Sequence, residues 1–311
     1  KPRQLRLKVY HPDALMTLSD LLPVLENMGL CVISELPFDI RPGENDKSIW
    51  VHDFLMEYRD DADTASGDEQ AIDPVEIKSV FETAVYKVWY ETMENDGLNR
   101  LVLTTGMPWH EVGVLRACLR YMRQAGYPFS LTYMQQALTQ NREMACLLIR
   151  LFKCRFDPEL TDKDMSRVAG CDIELDHALE DVTSLDHDRI LRSLAGLIRA
   201  TLRTNYYKHD ADGCSPGYLS LKLDSRQIGV LEEPRPFREI FVYAPHFEAV
   251  HLRGDFIARG GIRWSDRPED FRTEVKDLMK AQMVKNALIV PMGAKGGFVL
   301  KKAPKTGGKQ A

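Results

Sequence analysis

The chain opens on an alternation. In LRLKVYH, Leu5 to His11, the residues Leu5, Leu7 and Val9 fall on one side and charged or polar residues on the other, which predicts a strand with one buried face. Pro12 and Asp13 mark a turn. The period then changes: Leu18, Leu21, Leu22, Leu25 and Met28 recur every three or four residues, predicting a helix over 15–28 that stops at Gly29. Strands are expected over 30–36 and 48–58, on either side of the turn-rich IRPGENDK. Residues 60–71 (DDADTASGDEQA) are acidic, small and polar, as in an exposed linker. Asp73 and Pro74 then suit the N-cap and first turn of a helix whose apolar stripe is Val80, Phe81, Ala84, Val85, Val88 and Trp89.

Helical periods dominate from there to about Tyr207. One helix starts at Pro108 and stops at Gly126. Ser130 caps another. A strongly apolar one covers 142–156 and ends before Pro158. Ser184 caps a long one with Ile190, Leu191, Leu194, Leu197 and Ile198 inward. Trp89, Trp109 and Phe152 read as core aromatics. After a loop at HDADGCSPG the period returns to two: Leu219, Leu221 and Leu223 share one face, and REIFVYA and residues 247–252 read as further strands. A second sheet therefore begins late in the chain. The last residues, KTGGKQA, are polar and glycine-rich, and they read as a truncation or a disordered junction rather than the close of a domain.

Composition narrows the function classes. The 311 residues are 44% hydrophobic and 28% charged, ordinary values for a globular protein of about two domains. A net charge of −5 gives no global electrostatic case for nucleic acid or an anionic membrane. No apolar run approaches the roughly 20 residues of a membrane helix. No signal-peptide pattern opens the chain, which begins at Lys1 and not at Met. The six cysteines form no Cys-x-x-Cys pair, and Cys118 and Cys146 fall in apolar helical patterns, so all six read as reduced structural thiols of a cytoplasmic protein. The scattered histidines support no metal site.

Candidate chemistry lies in 258–302. Arg259-Gly260-Gly261-Ile262-Arg263-Trp264 sets two cations around a glycine pair at the end of a strand, and arginine fits a carboxylate by a two-pronged hydrogen bond. Pro268 opens a helix with the stripe Phe271, Val275 and Leu278. Lys285, seven residues past Leu278, projects on that apolar side, whereas Lys276 and Lys280 fall away from it. Read blandly, Lys285 snorkels at a fraying helix end. Lys295 is flanked by glycines in a short loop, Met292 to Gly297. Its bland reading is a solvated turn lysine, and the phosphate-loop spacing is absent. Together Arg259, Lys285 and Lys295 suit a pocket for a dicarboxylate, in which crowding lowers a lysine's pKa toward proton chemistry near neutrality.

The ordered series RGGIRW, KAQMVKNAL and PMGAKGG resembles the substrate region of glutamate dehydrogenases, which read KGG-Ile/Leu-RF, then FKxSL on a helix, then a proline-led glycine-rich stretch ending in KGG. The longer wording is closer to the large bacterial NAD-dependent glutamate dehydrogenases, in which ACT-like and helical regions precede the catalytic core. Only about the last 50 residues carry sharp motifs. The resemblance implies that Arg259 contacts the substrate side-chain carboxylate, that Lys285 binds the α-carboxylate, and that Lys295 is the catalytic lysine polarising the 2-oxoglutarate carbonyl. It implies that Gly260, Gly261, Gly296 and Gly297 shape the pocket. Three departures stand out. Arg259 replaces a lysine, the loop has one glycine fewer, and Lys285 and Lys295 are two residues closer than in the small enzymes.

The expected fold is mixed α/β: an ACT-like subdomain over 1–66, a helical region over 67–207, and over 208–311 the beginning of a glutamate-dehydrogenase substrate domain, with no Rossmann domain. The resemblance implies oxidative deamination of L-glutamate to 2-oxoglutarate and ammonium with NAD, in an oligomeric parent. NAD itself is expected on a domain absent from this chain, since no Gly-x-Gly-x-x-Gly fingerprint occurs, and the catalytic aspartate is expected beyond Ala311. The chain alone is expected to be inactive. The alternative is a regulatory module that binds an amino-acid effector through Leu5 to Tyr58 and assembles subunits. A dehydrogenase for another amino acid is disfavoured, because an apolar substrate would leave Arg259 unpaired.

Overall fold

The computed structural model describes residues 4–12, 16–41, 43, 48–58, 74–160, 165–209, 213, 215–285 and 292–302, without the side chains of 74, 165 and 283–285. The chain divides into two compact units, 1–112 and 113–311.

The first unit begins with β1 (Gln4–Pro12), α1 (Leu18–Asn27), β2 (Leu30–Ile40) and β3 (Ile49–Tyr58), in an antiparallel sheet of order β1-β3-β2. β1 alternates as expected, with Leu5, Leu7 and Val9 on the shielded face. α1 buries Leu21, Val24 and Leu25, and Gly29 ends it with a φ of +87°, a conformation that glycine adopts without a Cβ penalty. β2 runs past the expected end at Leu36. Pro37 reads as a breaker, but β2 is an edge strand, where a missing N–H is tolerated, and its pairing continues to Ile40 opposite Ile49. β3 is central and bears the buried Asp53, which accepts hydrogen bonds of 2.7 Å from Nε and Nη2 of Arg6. α2 (Pro74–Trp89) buries Phe81, Ala84 and Val88. Its expected cap, Asp73, lies outside the described residues. α3 (Arg100–Thr105) follows, ending at Gly106, and the division between units falls within α4 (Trp109–Gln124). Trp89 and Trp109 are half-buried, while Phe152 is fully buried.

The second unit continues with α5 (Leu131–Gln140), α6 (Arg142–Phe156), α7 (Met165–Glu180) and α8 (Leu185–Ala200). Ser130 and Ser184 cap as expected, each hydroxyl accepting from the backbone N–H three residues on. All five residues expected inside α8 are buried. Cys118 is buried, and desolvation pushes its thiol up to about 12. Cys146, expected to be buried, is exposed. α6 turns Met144, Leu148 and Leu151 inward and leaves Cys146, Arg150 and Lys153 as a solvent-facing stripe.

Helix gives way to strand earlier than the periods suggested. β4 (Thr201–Thr204) follows α8 directly and pairs with β5 (Leu219–Leu223). Then come β6 (Arg238–Tyr243), β7 (Phe247–Arg253), β8 (Ala258–Arg259), β9 (Ile262–Trp264), α9 (Phe271–Lys285) and β10 (Met292–Leu300). Among the described residues these form a seven-stranded sheet, β4-β5-β6-β7-β10, with β8 and β9 both parallel to β10 on its other side. On β6 and β7 the alternation buries Glu239, Phe241, Tyr243, Glu248, Val250 and Leu252 on one face. No described helix is long and apolar enough to cross a membrane.

Candidate active site

β10 organises the site. The segment expected to be a loop, Met292 to Gly297, is the first two-thirds of this strand, paired to β7 on one side and to β8 and β9 on the other. Glycine runs mark turns when nothing covers them. Here they let neighbouring elements close in. A Cβ on Gly297 would lie 2.4 Å from Cγ2 of Val275 on α9, and one on Gly296 would lie 3.0 Å from Cγ1 of Ile262. A Cβ on Gly260 would overlap the carbonyl oxygen of Ala294 at 1.4 Å. Gly261 has open space about its Cα, but its carbonyl accepts a 2.9 Å bond from the Gly296 N–H. The pair Gly260-Gly261 thus interrupts β8 and β9 while keeping both in one register against β10: Arg259 opposite Gly293, Ile262 opposite Gly296.

That register decides which side chains share a face. Gly293 and Lys295 are two apart on β10, so Arg259, paired to Gly293, lies on the face of Lys295. α9 covers this face. Val275 sits on Gly297, and Arg263, paired to Gly297, meets Glu274 of α9 at 2.9 Å. One turn before the end of α9, the side-chain amide of Gln282, with its nitrogen inward, donates to the carbonyls of Ala294 (2.6 Å) and Arg259 (3.1 Å). Lys285, three residues on, is the last residue of the same helix, and its side chain lies outside the described set. The structure therefore brings Arg259, Lys295 and the helix end bearing Lys285 to one end of β10. Arg259 is exposed and Lys295 half-buried, and neither forms an ion pair among the described residues. Arg263, by contrast, is committed to Glu274.

Two readings of α9 need correction. The buried stripe is Phe271, Val275 and Met279, with Leu278 only half-buried. Lys276, expected to fall away from it, is buried and donates to the Glu232 carbonyl at 2.9 Å, and desolvation lowers its pKa, with Lys280 and Arg272 adding to the shift. The helix packs on the sheet with one side and meets the 232 loop with the next, so its covered arc is wider than a single stripe. Gln282 was missed, although its position three residues before Lys285 put it on the same helical face.

Three family models match in chain order. Residues 1–70 match the glutamate dehydrogenase ACT3 domain, and 93–158 match glutamate dehydrogenase helical motif 3. Residues 174–311 match the catalytic domain of bacterial NAD-glutamate dehydrogenase. The chain belongs to the bacterial NAD-glutamate dehydrogenase family. It is 44% identical over 310 residues to an NAD-specific glutamate dehydrogenase of Pseudomonas aeruginosa, covering 99% of this chain and 19% of that protein. Proteins of the same name from Halomonas elongata and Mycobacterium tuberculosis are 42% and 41% identical over 98% and 93% of the chain. The chain spans about a fifth of the length of these relatives. Within this family assignment, the whole candidate site, from Arg259 to Gly297, lies inside the stretch matched as catalytic domain.

Proposed function

We propose that this chain supplies the substrate-carboxylate cations and the catalytic lysine of an NAD-dependent glutamate dehydrogenase, which converts L-glutamate, NAD and water to 2-oxoglutarate, ammonium and NADH. One observation carries the reading. Arg259 and Lys295 share a face at one end of β10, with no described carboxylate on either, where α9 ends at Lys285. Free cations held beside one another by strand pairing suit a dicarboxylate. In this reading Arg259 takes the side-chain carboxylate and Lys285 the α-carboxylate. Lys295 holds a proton against the carbonyl oxygen of 2-oxoglutarate, polarising it toward attack by ammonia, and in the reverse direction takes a proton from the water that attacks the imine, whose nitrogen then leaves as ammonia. Gly260, Gly261, Gly296 and Gly297 set the spacing of the strands that carry these groups.

The names of the relatives support NAD, which accepts the hydride when bound. The residues here do not fit it. The chain has no glycine-rich dinucleotide turn, and the described sheet is antiparallel from β4 to β10. We assign NAD and the catalytic acid to other parts of the parent polypeptide, and read 1–66 as the ACT-like part, 67–207 as helical and 208–311 as the start of the catalytic part.

Replacing Arg259 by Met in the full-length protein tests the substrate assignment. KM for 2-oxoglutarate should rise by about 10- to 100-fold, the loss of one charge-assisted hydrogen-bonded contact. The KM for 2-oxopentanoate, which lacks the distal carboxylate, should not rise. An unchanged KM for 2-oxoglutarate would remove Arg259 from the substrate site.

A further inference from the structure

The second unit carries a cleft of about 540 Å³ away from β10. Its walls come from the end of α4 and the turn after it (Tyr121, Tyr127), from one side of α8 (Arg189, Ser193, Gly196), and from the loop bearing Ile228. The volume lies in the range of small-molecule sites.

The polar groups at its edge are arranged. Ser193 Oγ donates to the Tyr127 hydroxyl at 2.8 Å, and that hydroxyl donates to the Arg189 carbonyl at 2.8 Å. Among the described residues the Arg189 guanidinium reaches a carboxylate only at Asp186, 4.0 Å away and beyond hydrogen-bond length, so its forked donors stay open. Arg192 differs, since its Nε is spent on Asp188 at 2.7 Å. Asp224 is held by Arg238 at 2.7 Å and by Gln227. Gly196 sits within α8, where glycine is poorly suited, and a Cβ there would meet nothing within 4 Å. No neighbour requires its smallness; its effect is to leave the cleft wall open.

Tyr121 links this cleft to α9. Its hydroxyl donates to Glu239 Oε2 at 3.1 Å, and Glu239 is gripped by Arg272 in the first turn of α9, at 2.9 and 2.5 Å. The cleft wall is therefore one hydrogen bond from the ion pair that fastens α9.

We propose that this cleft binds a small organic carboxylate with a flat apolar body, and that its occupancy is felt by α9 through Tyr121. The open fork of Arg189 fits a carboxylate, and the apolar walls and tyrosine rings fit a flat body. Asp186 and Asp188, set beside the lining residues Arg189 and Arg192 at 4.0 and 2.7 Å, disfavour a multiply charged anion. Binding here does not depend on the catalytic reading above, and its coupling is read on α9 itself, so each claim can fail without the other.

The test uses the full-length protein and benzoate as the probe. Calorimetry should find a benzoate site that weakens by about tenfold or more in Gly196→Met and in Arg189→Leu, with thermal midpoints retained. Benzyl alcohol and inorganic phosphate should each bind at least about tenfold more weakly than benzoate. Benzoate should slow hydrogen exchange of α9 amides in the wild type. Tyr121→Phe should bind benzoate and lose that effect. If Gly196→Met does not fold, Gly196→Ala, which favours the helix, reads the same effect at smaller amplitude. Benzoate affinity unchanged by filling Gly196, or phosphate binding as tightly as benzoate, overturns the site. Benzoate binding that leaves α9 exchange unaltered overturns the coupling.

Discussion

A Cβ on Gly297 would press on a single β-branched side chain, Val275, at 2.4 Å, whereas one on Gly260 would occupy the place of a backbone carbonyl, that of Ala294. The two glycines should therefore respond differently to mutation. Gly297→Ala should destabilise by about 1–3 kcal/mol, since Val275 is stiff at χ1 and α9 must lift to accept the methyl group. Combined with Val275→Ala, the cost should be smaller than the sum of the two single changes by about 1 kcal/mol or more, as measured by urea unfolding. Strict additivity would place the crowding elsewhere. Gly260→Ala has no such rescue, because no side-chain change moves the Ala294 carbonyl, and it should separate the strands that carry Arg259 and Lys295.

At the scale of elements, α9 is fastened at its first turn. Gln124 of α4 accepts from the Arg272 N–H at 3.3 Å and donates to the Pro268 carbonyl at 2.8 Å, while Nε and Nη2 of the Arg272 guanidinium donate to the two carboxylate oxygens of Glu239. Both charges of the pair are buried. Glu239→Gln keeps the shape and leaves the cation uncompensated, so it should cost about 3–5 kcal/mol in urea unfolding. A cost below about 1 kcal/mol would show that water or another acid compensates Arg272. Helices of this kind were largely legible in the sequence. α6 has the expected bounds and α8 the expected inward set, because a period of 3.6 and a serine cap are local signals. β10 was misread for the opposite reason. Its glycines look like a turn until α9 and the β8–β9 strands close over them, and no local pattern announces that contact. Lys276 was misread because the 232 loop, remote in sequence, covers it. The candidate cations themselves were legible from motif order. Their common face was not, since it depends on the register of β8 and β9 against β10.

At the scale of the whole molecule, the two units carry distinct stresses. In the first, Arg6 holds the Asp53 carboxyl below the usual carboxylate range by hydrogen bonding, against the opposing effect of burial. The ionised form is the one the fold favours. Its contribution is complete above the ordinary aspartate pKa of about 4 and is lost as pH falls through the lowered folded value. Urea midpoints taken from about pH 6 to about pH 2 should fall along an acid limb, and Asp53→Asn should flatten it. An identical limb in the variant would assign the acid sensitivity to other carboxylates. In the second unit the sheet brings Arg259 and Lys295 to one end of β10, within the stretch that matches a catalytic-domain family model. The claim that joins fold to function is that Lys295 performs proton chemistry on the substrate. The most direct measurement is NADH consumption with 2-oxoglutarate and ammonium, in the full-length protein and in its Lys295→Ala variant. The substitution should lower kcat by about 10²–10⁴-fold with the far-ultraviolet spectrum and unfolding midpoint unchanged. Activity that survives the substitution would contradict it, reducing Lys295 to a half-buried strand residue with no part in the reaction.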